Sequence, residues 1–213
     1  MTPVSTPVPG TTGPPTTSAL ELLDRAVGYT RGSLALVREH HLGLPTPCAA
    51  WDLRALLRHM DDSLAAMAEA AQAPRLALAP SPGPADAEAL LGSIRQRACT
   101  LVGQWMPAAG PVVALGDVHL HRELVGLVGA LEITLHGWDV GQAVGHPRAI
   151  PPTLAMDLWP VARDHITAAD RPARFGAEVD VPDSAPPQVR LLAHAGRRSS
   201  GSRPPGPRPP GSR

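Results

Sequence analysis

The sequence predicts an all-α protein in the main, a four-helix bundle with a small C-terminal α/β appendage. Three observations carry that expectation. Four long segments space their apolar residues at helical rather than strand period. Pro- and Gly-bearing stretches punctuate them, and only two short runs read as strands.

The first segment, 17–42, sets Leu22, Leu23, Ala26, Tyr29, Leu34 and Val37 on one stripe and stops at Gly43-Leu44-Pro45. The second, 50–72, carries Leu53, Leu56, Leu57, Met60, Leu64 and Met67, with Asp52 in its first turn, where an anion favours the helix dipole. A Pro/Gly/Ala-rich loop, Pro74 to Pro84, leads to a third helix over 85–106 built on Leu90, Leu91, Ile94, Ala98, Leu101 and Trp105. Pro111 to Leu115 reads as a short strand, and the fourth helix is expected over 118–144, ending at Gly145. A fifth helical segment, 152–168, is interrupted by Pro160. A strand at 177–181 and a short helix around 186–195 complete the appendage. Such a pattern of four amphipathic helices buries its stripes as a bundle.

Both ends of the 213-residue chain are poor core material. Residues 1–16 are mainly Pro, Thr and Gly, and 198–213 are Arg, Pro, Gly and Ser, so both are expected to be disordered tails. The domain is therefore placed at 17–197. Formal net charge is zero, which offers no electrostatic case for nucleic acid. The four tail arginines, spaced by Pro, Gly and Ser, are read as solubilising. No basic region precedes an apolar stretch in the manner of a signal peptide. No apolar run approaches the roughly 20 residues that span a bilayer. Two cysteines, Cys48 and Cys99, make no disulfide framework. A cytoplasmic protein without a membrane partner, monomer or homodimer, is expected.

The residues that point to chemistry lie on the second and fourth helices. Glu132 and His136 are four apart, so they share a helix face with Cβ atoms about 5–6 Å apart. They border the apolar stripe of Leu124, Leu131 and Leu135, where a lone carboxylate is costly. His59 flanks the apolar stripe of the second helix and offers a third ligand. Two His and one Glu leave a fourth position open, the pattern of a catalytic zinc. Spacing alone also admits plainer readings, in which Glu132 pairs with a neighbour and His59 is a hydrogen-bonded core histidine. Asp139, near the same stripe, is a candidate for orienting His136 from behind; a helix-surface charge is its plain alternative. Trp51 and Trp138 are read as packing anchors and Cys48 as a structural thiol. His119, His121 and Glu123 are read as a solvent-facing group, and His40-His41 as a helix-end pair.

The flanking residues narrow these alternatives. Thr46-Pro47-Cys48-Ala49-Ala50-Trp51-Asp52-Leu53, followed by Leu56-Leu57-Arg58-His59-Met60, resembles the Thr-Pro-Cys-x-x-Trp…Leu-x-x-His signature of the actinobacterial maleylpyruvate isomerase-like family. Glu132-Ile133-Thr134-Leu135-His136-Gly137-Trp138-Asp139 matches that family's second signature, Glu-x-x-x-His-Gly-Trp-Asp. Phe175-Gly176, Val181-Pro182, Arg190-Leu191-Leu192 and Gly196-Arg197 resemble its ending, so the likeness spans about 20–197.

That family belongs to the DinB-like metal-binding bundles, some of which are mycothiol- or bacillithiol-dependent enzymes. The resemblance implies a divalent metal, zinc first, on His59, Glu132 and His136, with an open position for mycothiol or water. It implies a thiol-dependent isomerase or S-transferase whose partners are a small thiol and an electrophilic substrate. A non-catalytic metal-bound binding or stress-response module is the rival function. The larger isomerase relatives carry a C-terminal domain with a substrate-binding arginine, for which no residue here is carried over. Arg190 and Arg197 are assigned to structure, and maleylpyruvate is not expected as the substrate.

Overall fold

The computed structural model describes residues 17–48, 51–76, 83–84, 86–105 and 110–198. The tails expected over 1–16 and 198–213 lie outside these residues, Arg198 excepted.

Four helices form the bundle: α1 (Ala19–Leu34), α2 (Leu53–Gln72), α3 (Ala87–Trp105) and α4 (Arg122–Ala143). Three short strands, β1 (Arg75–Leu76), β2 (Val112–Leu115) and β3 (Val118–His121), sit beside it, and α5 (Pro152–His165) and α6 (Pro187–His194) follow. The mainly helical bundle with a small α/β part is thus observed. No helix among the described residues is long and apolar enough to cross a membrane.

Local chemistry sets the helix ends. The Ser18 hydroxyl accepts from the Glu21 N–H at 3.2 Å, and Asp52 accepts from the Ala55 N–H at 2.8 Å; each satisfies a donor that a first turn leaves open. α1 stops at Leu34 rather than running to 42. Arg38 turns extended there, and its guanidinium caps the carbonyls of Ala35 and Val37 at 2.9 Å each. A single 3-10 turn, Glu39–His41, carries the chain onward with Val37 and Leu42 buried.

The fourth helix begins later than its sequence pattern suggests. Residues 118–121 form β3, which pairs antiparallel with β2 in the register Val113↔Leu120, across a turn at Gly116-Asp117. Backbone pairing across that turn wins over continuation of the helix. β1, within the stretch read as loop, pairs in parallel with β2. The segment 177–181, expected as a strand, joins no strand among the described residues; its Val179 N–H donates to the Ala193 carbonyl at 3.0 Å. α5 runs on through Pro160, which is exposed, as is Met156 one turn earlier. The Met156 carbonyl that loses its helical donor is therefore on the solvent side.

α4 is the central helix and packs on α1, α2 and α5. From Gly129 to Gly141 every residue except Glu132 is buried, which leaves this helix almost no polar face. Its closest neighbour is α1. A Cβ added at Gly137 would stand 2.2 Å from Thr30 Oγ1 and 3.1 Å from the Thr30 Cα, so only glycine permits this crossing. Thr30 uses that proximity to donate its hydroxyl to the Ile133 carbonyl at 2.8 Å. The core fills the remaining space with Leu22, Leu23, Leu53, Leu56, Leu57, Leu90, Ile94, Leu101 and Leu135, all fully buried.

The residues after α6 return to this core. Gly196 takes a φ of +75° and lies against the backbone of Gly176, where a Cβ would stand 2.6 Å from the carbonyl oxygen. That close turn delivers Arg197 to the interior.

Candidate metal site

α2 and α4 lie side by side, and the three residues singled out from the sequence meet between them. His59 Nε2 is 3.2 Å from Glu132 Oε2, and His136 Nε2 is 3.4 Å from the same oxygen. The three donor atoms all lie within 4.8 Å of one another. Donors on a tetrahedral zinc, with bonds of about 2.0–2.1 Å, are separated by about 3.3 Å. A charge-assisted hydrogen bond would draw the same atoms to about 2.7–2.9 Å. Spacing and donor chemistry, two imidazoles and one carboxylate, fit a divalent ion. The His59 side chain is 35 % exposed and His136 only 10 %, so the cluster opens on the His59 side.

Behind the cluster runs a chain of polar contacts. His136 Nδ1 is 3.0 Å from Asp139 Oδ2, as expected for the residue that orients the ring. Asp139 is wholly buried and is gripped by Arg197, whose Nε donates to Oδ1 at 2.9 Å and Nη2 to Oδ2 at 2.7 Å. With its Nδ1–H on Asp139, His136 directs Nε2 to the Glu132 side, where that atom carries a proton in the metal-free protein and would give its lone pair to an ion.

The electrostatics follow this order. Burial acts against every charge here, yet the site favours ionisation. Glu132 is held far below its ordinary carboxylate value, because hydrogen bonds to His136 and His59 outweigh desolvation. Asp139 is pulled down to about 2, since Arg197 and then His136 outweigh its burial. Burial lowers His136, but hydrogen bonds to Asp139, Cys48 and Glu132 more than offset it and raise the imidazolium well above 6.5.

Cys48, half-buried, is nearer this machinery than its place in a loop suggests. Its sulfur lies 3.4 Å from Asp139 Oδ2 and 3.5 Å from Arg197 Nη2. Cys48, His136 and Asp139 could in geometry hold an ion of their own. The Arg197 guanidinium already stands beside Asp139 and the thiol, so a cation there would meet a fixed positive charge. The Thr46 hydroxyl donates to the carbonyls of Cys48 at 3.1 Å and Trp51 at 2.9 Å, which folds the loop so that Trp51 covers the His59 ring at 4.8 Å. Trp138 is buried in the core.

The remaining sequence candidates stand apart. His119 and His121 are exposed on β3 rather than on the fourth helix, and Glu123 at the start of α4 accepts from the Ala19 N–H at 2.7 Å. His40 and His41 stack edge to face in the 3-10 turn, with His41 Nδ1 accepting from the Arg38 N–H at 3.1 Å. Sequence reasoning passed over Arg174, whose Nη2 lies 3.7 Å from Glu132 Oε1 at the exposed rim. No local signal marked it, because a loop arginine shows nothing of its direction in sequence.

The sequence is 30 % identical over 171 residues to the uncharacterized protein Rv0738 of Mycobacterium tuberculosis strain H37Rv, covering 77 % of this chain and 89 % of the relative. The uncharacterized protein MT0763 of strain CDC 1551 is similar to the same extent. No family model matches the chain, and no solved structure matches it.

Proposed function

The chain belongs to the family of the mycobacterial protein Rv0738, and within it we propose a divalent-metal-binding protein that works on a small thiol. The observation that carries this reading is the meeting of His59, Glu132 and His136, with both imidazole nitrogens 3.2–3.4 Å from one Glu132 oxygen and all three donors within 4.8 Å of one another. Two imidazoles and a carboxylate form a donor set that catalytic zinc uses.

A bound cation would supply Lewis acidity at its open position, lowering the pKa of a coordinated thiol so that a nucleophile exists at neutral pH. This chain's own residues prepare that position. Glu132 brings the negative charge that favours a cation, and Asp139 fixes the His136 tautomer. Arg197 keeps Asp139 ionised and in place. Trp51 shields the His59 ring from one side.

Mycothiol is the proposed thiol and an electrophile its co-substrate, in isomerisation or S-transfer; the two signatures around His59 and Glu132-His136 support this part of the reading. Metal analysis of the purified protein, together with His59→Ala and His136→Ala, tests the ligand set. Stoichiometric metal in the wild type and its loss from both variants is the expected result. Calorimetry of the zinc-loaded protein with mycothiol then tests the thiol: heat is expected, and its absence with metal retained would turn the reading into a non-catalytic module.

A further inference from the structure

Glu132 and His136 also line a small recess between the bundle helices. Val27, Arg31 and Leu34 of α1, Met60 and Ser63 of α2 and Ala98 of α3 line it with them. The recess measures about 20 Å³, and its accessible wall is entirely apolar. Thr30 borders it too, but its hydroxyl is committed to the Ile133 carbonyl at 2.8 Å.

A void of this size could admit one water, yet a water needs two or more polar partners, and although Arg31 and Ser63 border the recess, no polar atom is accessible within it. Left empty, the wall atoms lack contacts on one side. Its size suits a methyl or ethyl group, and it adjoins the donor cluster, because Glu132 and His136 line both.

We infer that the small molecule held at the open side of the His59–Glu132–His136 cluster carries a short aliphatic group, one or two carbons long, that seats in this recess. The inference rests on the metal reading above and adds a substrate class to it: the preferred ligand is apolar beside its donor atom, not hydroxylated. Polar groups further along the ligand remain in solvent on the His59 side.

The test uses the full chain loaded with cobalt(II) and titrated with 1-propanethiol and 2-mercaptoethanol, read by the thiolate-to-cobalt absorption band. The two thiols match in length and differ in a terminal methyl against a hydroxyl. Their different acidities cancel when the affinity ratio is compared between wild type and variants. Ala98→Leu fills the recess without touching a ligand, and the ratio favouring 1-propanethiol is expected to fall at least about fourfold, the worth of one buried methylene. Val27→Ala enlarges the recess and is expected to move the preference toward 1-pentanethiol; it decides the matter alone if Ala98→Leu does not fold. Cobalt and thiol bound with unchanged preferences in the folded variants would overturn this inference and leave the metal reading standing. Failure to bind cobalt would overturn both, and cobalt without a thiol band would overturn the thiol reading together with this one.

Discussion

Arg197 grips Asp139 with two nitrogens, Nε on one carboxylate oxygen at 2.9 Å and Nη2 on the other at 2.7 Å, and both side chains are almost wholly buried. Removing Arg197 leaves Asp139 buried with only the His136 ring and the Cys48 thiol beside it. Arg197→Met is therefore expected to cost about 3–5 kcal/mol, the range for breaking a buried pair from one side. Replacing both, as Asp139→Leu with Arg197→Met, is expected to recover at least half of that loss. Urea denaturation of the three proteins measures it, and a single variant within 1 kcal/mol of wild type, roughly the worth of an exposed pair, would count against the pair as a structural element.

Asp139 also touches His136, so under the proposed metal reading its loss should weaken the binding of zinc. Partners that orient a ligating histidine typically contribute 10–100-fold in affinity, and Asp139→Asn is expected to weaken zinc binding by about that factor. His59→Ala and Glu132→Gln remove donors and should weaken it further. The joint change of His119 and His121 to Ala, on the exposed strand β3, should leave it unchanged. Competition with a chromophoric chelator reads all four, with far-ultraviolet dichroism confirming the fold.

What the sequence could say about this site depended on how local each relationship is. Glu132 and His136 are one helical turn apart, so their convergence needs only the helix. His59 is 73 residues from Glu132 and meets it only because α2 and α4 pack together; the apolar stripes allow that meeting, but only the resemblance of the flanking signatures singles His59 out. The Asp139 partner was not legible in the same way. Arg197 lies 58 residues on and enters the core through the turn at Gly196 against Gly176, a backbone approach that no periodicity encodes. The start of α4 was misjudged for a related reason. Residues 118–121, Val-His-Leu-His, alternate apolar and polar as a strand does, but over only four positions directly before a long helical pattern, and it is pairing with β2 that decides their conformation.

Gly137 gives a sharper test of the packing than any leucine. A methyl there would collide with Thr30 at the α1–α4 crossing and displace the Thr30–Ile133 hydrogen bond. Overpacking of this kind costs about 1–3 kcal/mol, so Gly137→Ala should lower the melting temperature clearly. Gly28 is an exposed glycine inside α1 with nothing within 4 Å of an added Cβ. Gly28→Ala should instead raise stability by about 0.5–1 kcal/mol through helix propensity alone. Equal and small effects at both positions would contradict the close crossing.

The pH dependence should reverse between the metal-free and zinc-loaded protein. In the metal-free protein the His136 imidazolium is stabilised well above 6.5, against its own burial, by Asp139, Cys48 and Glu132. A raised folded pKa means stability that is complete below about pH 6.5 and lost as pH climbs through the folded value. Asp139 works in the opposite sense. Its folded value of about 2 lies below the ordinary 3.8, so its contribution is present above about pH 4 and lost as pH falls toward 2. The metal-free melting temperature should thus decline from pH 6.5 toward 8.5 and again below pH 4. Zinc competes with the proton on His136 Nε2, so loading releases a proton and strengthens with pH. The zinc-induced rise in melting temperature is therefore expected to grow over the interval above pH 6.5 in which the metal-free protein weakens. A rise that stays flat across that interval would mean that the ion does not take the place of the His136 proton.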